Sequence, residues 1–548
     1  MNSAIGIGLS PDNPSTLYGM GPAVIEREII DSIEPRIWFA AKGAVGWLVL
    51  FMVASLMQCQ IPQKPETASG AILFSQYCGS CHLAPQPTDL PVSVWKKRVL
   101  PEMAARMGLL IDHYNPYAGL NMEETFYTQI SMAYPPKPII TRTEWDSIAN
   151  YVLSHAVDTF LFDSSRLQRN KPINQFAAHP VKLDDLPESF VSYIHHDEHA
   201  GTNFVGFVRG QVYAVPDPEH HDFIEKRYYT IADYRQRGDT TWCTEMGPIL
   251  PSEIPKGRLS KTVDSTLVVV ADSLHRPVYT VFSDLDGDGK DEILLAEFGN
   301  KTGELLLLHA DQDGRYLYLP LLAQPGIIRI IVQDMNQDLK PDLVVLASQG
   351  NEGVYLLLNQ GNLKFTTQQV IRLPSVYGSS WIELVDMDHD KDLDIVLANG
   401  DNADYSYALK PYHGVRIFTN NGNNEFEQQW FYPIYGATRV IARDFDLDGD
   451  VDLLVNAYFA NYDQFPEESI VYLQNDSDPE FMFSPFTFPD AAKSGRWLIS
   501  ECADYDQDGD LDVILGSNIW SPAPTGRDVL NSWRKAGIDL LFLENKLR

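Results

Sequence analysis

A ten-residue acidic turn recurs five times in the second half of this 548-residue chain. Each copy, here called an acidic turn, has an oxygen-bearing side chain at its positions 1, 3, 5 and 9. The five sets are Asp284, Asp286, Asp288 and Glu292; Asp334, Asn336, Asp338 and Asp342; Asp386, Asp388, Asp390 and Asp394; Asp444, Asp446, Asp448 and Asp452; and Asp504, Asp506, Asp508 and Asp512. Ca²⁺ takes about six to eight oxygen ligands, and a tight loop with ligands at odd positions wraps one ion. The spacing therefore predicts calcium sites.

Glycine at position 6 of three acidic turns allows the sharp backbone turn, whereas Leu339 and Lys391 replace it in the second and third copies. The formal net charge is −32, and 23 of the 74 Asp and Glu lie in these turns. Carboxylates this close repel one another unless a cation lies between them. The alternative is a set of solvated polar hairpin turns.

A chain this acidic repels nucleic acid, which excludes nucleic acid as a partner.

A second constellation is Cys78-Gly-Ser-Cys81-His82, which has the C-x-x-C-H spacing of c-type haem attachment. In that motif both thiols bond the porphyrin and the adjacent histidine ligates iron. The alternative is a thioredoxin-like redox pair, which needs a βαβ context. The flanking segments 68–77 and 92–107 have helical patterns instead. The motif therefore predicts covalent haem c.

The segment 66–157 resembles a small monohaem cytochrome c domain, with a first helix before the motif and a closing helix at 143–153. The resemblance implies a sixth iron ligand, most often methionine. Met103 follows a tryptophan on a predicted helix and is our first choice. Met132, just before the closing helix, is the alternative, and Met107 or no methionine stays open. Each methionine could also simply pack in the core.

The acidic turns must be positioned by strands, because short apolar runs enter and leave each of them, as at 278–282 and 293–296. The copies recur every 50 to 60 residues, a period typical of propellers and other repeat folds. Four strands per unit describe a propeller blade. We expect a mainly β protein with a seven-bladed propeller over 186–548, preceded by a small all-α cytochrome c domain. The last unit ends after its third strand, so the missing strand must come from the start of the propeller.

These units resemble the FG-GAP or VCBS-type repeats of calcium-binding propellers, including those of integrin α chains. The resemblance covers residues 278 to about 545. It implies the propeller fold and bound calcium. It says little about activity, because such folds host many functions.

The N-terminal region predicts export. An uncharged apolar run at 43–57 follows Arg36 and Lys42, has the length of a signal-peptide core, and ends just before Cys59. This order resembles a bacterial lipoprotein signal, which implies lipidation of Cys59. An uncleaved membrane anchor and plain secretion are the alternatives, and all three place the protein on the periplasmic or cell-surface side. We expect an N-terminal extension and signal at 1–58, the cytochrome c-like domain at 59–157, a linker at 158–185 and then the propeller.

Three further features are candidates for function or cross-linking. Cys243 and Cys502 could form a disulfide or remain two buried thiols. The segment 399–414 is a long polar insertion within one repeat. The segment 193–199 carries His195, His196 and His199, which could hold a metal, although strand alternation would split them between two faces.

The leading hypothesis is a membrane-tethered extracytoplasmic c-type cytochrome that transfers electrons, with a calcium-stabilised propeller docking a redox partner protein. A second is a propeller-based oxidoreductase that passes substrate electrons to the haem, which resembles quinohaemoprotein dehydrogenases in domain pairing only. A third is a propeller that binds a glycan, a protein or a small molecule and carries an accessory haem. Catalytic residues are unknown.

Overall fold

A computed structural model describes residues 69–161, 163, 166, 171–403, 406–476 and 481–547. The predicted signal and Cys59 lie outside these ranges. Residues Thr67–Arg548 form one compact unit, so the helical segment and the propeller are packed together. Within the described ranges, no helix has both the length and the apolar character that crossing a membrane requires.

Helices occupy the segment before the propeller and two places inside it. Ser69 caps the first helix, a Thr141–Glu144 capping box begins the fourth, and Gly537 ends the last one in the left-handed conformation. The helices are α1 (Gly70–Cys78), α2 (Val92–Val94, a π-helical Trp95–Val99, and Leu100–Arg106), α3 (Met122–Ile130), α4 (Arg142–His155), α5 (Pro489–Lys493) and α6 (Arg527–Ala536), with 3₁₀ turns at Pro87–Asp89 and Pro466–Ser469.

The helical segment has its own apolar core, formed mainly by α1, α2 and α4. Leu73 and Phe74 of α1 meet Trp145 and Ile148 of α4 in this core, which we call the helical core. Trp95 of α2 is buried there as well, and its indole Nε1 donates to the Pro87 carbonyl at 2.8 Å. The segment is thus a small packed region of short helices.

Seven four-stranded antiparallel sheets follow, which confirms the predicted seven-bladed propeller. Blade 1 contains β2 (Val191–Asp197), β3 (Thr202–Phe207), β4 (Gln211–Asp217) and β5 (His220–Lys226), and blade 2 contains β6 (Ile231–Arg237), β7 (Thr240–Glu245), β8 (Gly257–Val263) and β9 (Thr266–Leu274). Blade 3 contains β10 (Pro277–Ser283), β11 (Glu292–Glu297), β12 (Glu304–Ala310) and β13 (Tyr316–Leu322), and blade 4 contains β14 (Ile327–Gln333), β15 (Asp342–Ala347), β16 (Gly353–Asn359) and β17 (Phe365–Arg372). Blade 5 contains β18 (Ser379–Val385), β19 (Asp394–Asn399), β20 (Gly414–Asn420) and β21 (Phe426–Pro433), and blade 6 contains β22 (Arg439–Arg443), β23 (Asp452–Asn456), β24 (Ile470–Asn475) and β25 (Phe483–Thr487).

Blade 7 closes the ring with strands from both ends of the propeller. It contains β26 (Trp497–Ala503), β27 (Asp512–Ser517), β28 (Leu540–Asn545) and, as its outermost strand, β1 (Phe176–Val181). The register of β1 on β28 runs from Phe176 opposite Asn545 to Val181 opposite Leu540. The early strand thus completes the last blade, as expected. It lies inside the segment 158–185 that the sequence analysis assigned to a linker, so the propeller begins before residue 186.

The cores lie between neighbouring blades. The second strand of six blades is buried at every position, which explains the apolar run that most of these strands carry after their first residue. The fourth strands of blades 1 and 3 are mostly exposed, because they form the outer edge of the ring.

Strand order assigns the connections to two faces. The turn from the first to the second strand of a blade lies on one face, which we call the turn face, and it holds all five acidic turns. The connections from the second to the third strand, and from one blade to the next, lie on the opposite face, which we call the loop face.

The acidic turns share an unusual backbone conformation. Positions 4 and 6 have positive φ in all five, including non-glycine residues such as Leu339 (φ 65°) and Lys391 (φ 78°) at position 6. An L-residue in this region costs roughly 1–2 kcal/mol, whereas glycine adopts it freely. The two substituted turns therefore keep the same path and carry local strain.

We expect Leu339→Gly to stabilise the protein. The side chain is 94% exposed, so its removal costs little packing, and relief of the φ strain outweighs the extra chain entropy by about 0.5–1 kcal/mol. Urea unfolding of the full chain measures the change. Leu339→Ala is the control, since it shortens the side chain and keeps the strain. Equal stability of the two variants would contradict the explanation.

Candidate functional site

Hydrogen bonds from the backbone close each acidic turn. The position-1 carboxylate accepts the N–H of position 6, with nitrogen–oxygen distances of 2.8–3.1 Å in all five copies. The position-5 carboxylate accepts the N–H of position 7 over the same range. These bonds aim the acidic side chains inward and hold them near one another.

The position-9 carboxylate is buried and connects the turn to the rest of its blade. One of its oxygens accepts the N–H of position 2 at 2.8–3.1 Å in every copy. In the last four copies the other oxygen accepts a backbone N–H at the end of the third strand, at 2.7–2.8 Å. Burial raises the pKa of Asp452 and Asp512 to about 7 and that of Asp394 to about 6.

An asparagine at the end of the third strand completes this arrangement, and the sequence analysis missed it. The residues are Asn359, Asn420, Asn475 and Asn545, all buried, and each donates that backbone N–H to the position-9 carboxylate. The side chain of Asn359 also donates to the Leu285 carbonyl of the preceding blade, and that of Asn545 to the Phe445 carbonyl. The recurrence of asparagine after an apolar third strand was visible in the sequence.

Four of the five acidic turns bring three or more potential metal ligands together, with one ligand atom per residue and all of these atoms within 4.8 Å of one another. The groups are Asp284, Asp286 and Asp288; Asp386, Asp388 and Asp394; Asp444, Asp446 and Asp452; and Asp504, Asp506 and Asp512. The first turn has a second group, Asp286, Glu292 and His309, whose histidine the sequence analysis did not include. Positions 1, 3 and 9 therefore converge in turns three to five, and position 5 stands outside these groups.

The second acidic turn differs from the others. Among the described residues, its Asp334, Asp338 and Asp342 form no such group. The Asp338 carboxylate is instead paired with the Lys340 ammonium at 2.7 Å. This turn has the weakest case for a cation.

The C-x-x-C-H residues form a single turn at the end of α1. Cys78 is the last helical residue and packs against the helical core, whereas Cys81 is exposed. The His82 ring approaches the Leu83 carbonyl with Nδ1 at 3.2 Å, and Nε2 has no partner among the described residues. Burial raises the pKa of the Cys78 thiol to about 12, with a further contribution from Cys81.

The three candidate methionines fall in different environments. Met103 and Met107 both pack, partly buried, against the helical core that Cys78 also contacts. Met132 lies outside that cluster and is 64% exposed. The structure thus brings Met103 and Met107 to the core beside the C-x-x-C-H turn and leaves Met132 at the surface.

The helical segment docks on the loop face of the propeller. Tyr412, on the long insertion 399–414, donates its hydroxyl to the Asp89 carbonyl at 2.8 Å and stacks on Tyr377. On the other side, the Glu124 carboxylate of α3 accepts from the Ser252 hydroxyl and the Glu253 N–H, both at 2.6 Å. The insertion therefore has a docking role, and the helical segment and the acidic turns lie on opposite faces.

The histidines of 193–199 do not form a metal group among the described residues. The His196 ring contacts the Asn203 side chain at 3.2 Å, and His199 is exposed. Burial and Arg235 lower the pKa of His195 to about 4. Cys243 and Cys502 are both free thiols, which agrees with the alternative without a disulfide.

Charged side chains of the first strands form a network that the sequence did not reveal. Arg329 and Arg439 stack on the Trp381 ring at 3.8 and 3.5 Å. They pair with Glu383 at 3.6 Å and Glu501 at 3.7 Å, respectively. This network links blades 4 to 7 around the axis of the ring.

Comparison with known proteins supports the repeats. A model of the FG-GAP-like repeat matches residues 334–397 and 398–455. No curated protein matches the chain. Similar solved structures include the N-terminal domain of Nup159 (10% identity, TM-score 0.40, covering 68% of this chain and 97% of that chain) and the Neurospora crassa Pan2 WD40 domain (13%, 0.37, 65% and 88%). Saccharomyces cerevisiae Sqt1 is a further one (9%, 0.38, 64% and 83%).

The strand pairing and the repeat match agree on the architecture. Both repeat matches fall within blades 4 to 6, where acidic turns two to four lie. The chain is a seven-bladed β-propeller with FG-GAP-like repeats, a fold that suggests a docking or binding role.

Proposed function

We propose that the helical segment carries covalently bound haem c and transfers electrons, while the propeller docks its redox partner. The observation that carries this proposal is the turn Cys78-Gly-Ser-Cys81-His82 at the end of α1, beside an apolar core. The Cys78 thiol packs against the core, the Cys81 thiol is exposed, and the His82 Nε2 has no partner among the described residues. These three residues therefore fit covalently bound haem c. When bound, haem c would supply a one-electron redox centre.

The alternative of a thioredoxin-like redox pair has less support. Reactive thiol pairs have lowered pKa values, commonly because a helix N-terminus stabilises the thiolate. Cys78 instead lies at a helix C-terminus, and burial raises its pKa to about 12. Its thiol therefore stays protonated at neutral pH, which disfavours disulfide exchange.

Met103 remains our first choice for the sixth ligand, with Met107 as its neighbour on the same core. Both thioethers are within the apolar surroundings that a porphyrin would share with Cys78. Met132 would need to leave its exposed position, so the geometry favours it less.

The docking contacts suit an electron carrier, because they hold the helical segment at one place on a rigid scaffold. The buried Glu124 contacts and the Lys256–Glu123 pair at 3.0 Å fix α3 to blade 2. Tyr412 fixes the opposite side to blade 5. A redox partner that recognised the propeller would then meet the haem-bearing segment in one orientation.

We further propose that Ca²⁺ occupies acidic turns one, three, four and five. The converging carboxylates support this, and so does Asp386 Oδ1, a buried oxygen without a hydrogen-bond donor among the described residues. Burial raises the pKa of the position-9 carboxyls of turns three to five, and a cation beside them would offset the cost of burying their charges.

The proposed location is the periplasmic or cell-surface side of a bacterial membrane, attached through Cys59 or through the apolar run at 43–57. This rests on the order of charges, apolar run and cysteine in the sequence. Covalent haem c and Ca²⁺ are the proposed cofactors, and a redox protein is the proposed partner.

We expect the full chain, produced in a host that attaches haem c, to have the mass of the polypeptide plus one haem. Cys78→Ser with Cys81→Ser should abolish this added mass and the red colour, because both thioether bonds are lost. Cys243→Ser, in the core of blade 2, is the matched control and should keep the haem. A wild-type protein without haem from such a host would overturn the proposal.

Met103→Leu should remove the absorption band of a methionine–iron bond, while Met107→Leu and Met132→Leu should keep it. Leucine preserves apolar volume, so loss of the band reports the ligand and not unfolding. Loss of the band in another variant would reassign the sixth ligand.

Chelation should lower the melting temperature of the full chain by several degrees. A ligand that binds only the folded state stabilises it by mass action, and 1 kcal/mol corresponds to about 2–4 °C in a domain of 150–250 residues. A variant with Asp386, Asp444 and Asp504 changed to Asn keeps one acceptor oxygen at each position, removes the negative charge and should respond less to chelator. An unchanged wild-type melting temperature would argue against metal in these turns.

A further inference from the structure

A cavity of about 220 Å³ lies on the loop face of blade 7, and no part of the proposed electron transfer uses it. We call it the Arg496 pocket. Arg496 lies in the connection that enters β26. Trp520, Ser521 and Thr525 come from the long connection between β27 and β28, and Phe190 comes from the segment before β2. The pocket is therefore formed where the ring closes.

Arg496 is a buried cation that forms no ion pair among the described residues. Its side chain is 1% exposed. Nε donates to the Tyr458 carbonyl at 2.9 Å and Nη1 to the Thr525 hydroxyl at 3.1 Å. The guanidinium also stacks over the Tyr458 and Tyr462 rings, at 4.5 and 5.4 Å from their centroids. Burying a charge is costly unless an opposite charge accompanies it, so the pocket is prepared for an anion.

The charged side chains that line the pocket favour the same conclusion. The carboxylate in the lining, Glu188, is engaged by Arg534 at 2.8 Å. Arg209 stacks on the Phe190 ring at 4.6 Å and adds a further cation nearby. The lining is thus net positive in a chain whose formal net charge is −32. Arginine binds carboxylates with a planar, two-point geometry.

The other lining groups suit a polar ring. Trp520 is 40% exposed and offers an aromatic surface, while Ser521 and Thr525 offer hydroxyls. Aromatic side chains with a polar neighbour are typical of sites that bind amphipathic ligands. The volume is below the roughly 300–1,000 Å³ of pockets for drug-sized ligands, so it admits one sugar-sized ring.

We propose that the Arg496 pocket binds a single uronic acid unit, with its carboxylate at Arg496, its ring against Trp520 and its hydroxyls near Ser521 and Thr525. The unit could be a free acid or the end of an acidic glycan, since the carboxylate and ring are common to both. The proposal names the class of ligand that the propeller would bind at this pocket. It does not depend on the presence of haem.

The test is isothermal titration calorimetry on the full chain in calcium-containing buffer, with galacturonate and glucuronate as probes. Galactose and glucose are the matched neutral probes. At least one uronate should bind about tenfold or more tightly than its neutral counterpart, because a charge-assisted contact is lost in the latter. Equal binding of the charged and neutral sugars would overturn the proposal.

Two variants assign the binding to the pocket. Trp520→Ala removes a partly exposed ring and should weaken uronate binding several-fold without changing the melting temperature. Arg496→Lys keeps the charge, loses the planar geometry and should weaken it about tenfold. Arg372→Gln, on the outer strand of blade 4, is the matched control and should bind as wild type. Unchanged binding by both pocket variants would overturn the proposal.

Competition with acetate separates recognition of the whole sugar from that of a bare carboxylate. Acetate should displace uronate only at much higher concentration, because it lacks the ring and hydroxyls. Displacement at equal concentration would overturn the ring contact. These experiments measure sugar binding and not haem absorbance, so their failure is distinguishable from failure of the electron-transfer proposal.

Discussion

The buried carboxylate at position 9 of each acidic turn is the interaction on which the turn face depends. In the last four copies it accepts one N–H from the turn and another from the end of the third strand. A buried acceptor that lost either donor would pay its full desolvation cost. The carboxylate therefore fixes three strands of a blade at one edge, and the asparagine side chains of Asn359 and Asn545 extend this to the preceding blade. A cation in the turn would therefore bind carboxylates whose positions the backbone hydrogen bonds already fix.

The two faces of the ring then have separate tasks. The turn face concentrates acidic side chains that backbone hydrogen bonds hold in place, so it is strongly negative and contributes to the stability of each blade. The loop face carries the longer connections, the docked helical segment and the Arg496 pocket. Loops on a rigid scaffold are where binding functions usually lie. This division lets the loop face vary without disturbing the hydrogen bonds that hold each blade.

The sequence was sufficient to predict the features that repeat along the chain. The period of the acidic turns and the apolar runs around them indicated seven blades, and the missing strand of the last unit indicated closure from the other end. It did not locate β1, because Pro180 interrupts the apolar pattern of that strand and its partner β28 lies more than 350 residues later. The burial of Arg496 was equally hidden, since its aromatic neighbours come from another blade. Position 9 was predicted only as a metal ligand, and its backbone contacts depend on strand ends that local patterns do not specify.

The long insertion of blade 5 joins the two candidate sites on the loop face. Tyr412, near its end, contacts the helical segment, whereas Tyr407 packs against the cluster of Tyr458, Phe459 and Ala523 that borders the Arg496 pocket. Between them, the fully buried Lys410 ammonium donates to the Val376 carbonyl at 2.9 Å and the Ser406 hydroxyl at 2.8 Å. A buried cation held by two acceptors cannot move without losing both, so this part of the insertion is a rigid connection. The insertion therefore holds the Tyr458 side of the pocket in a fixed position relative to the helical segment, and a rigid element of this kind does not supply the two discrete arrangements that coupling of two sites requires.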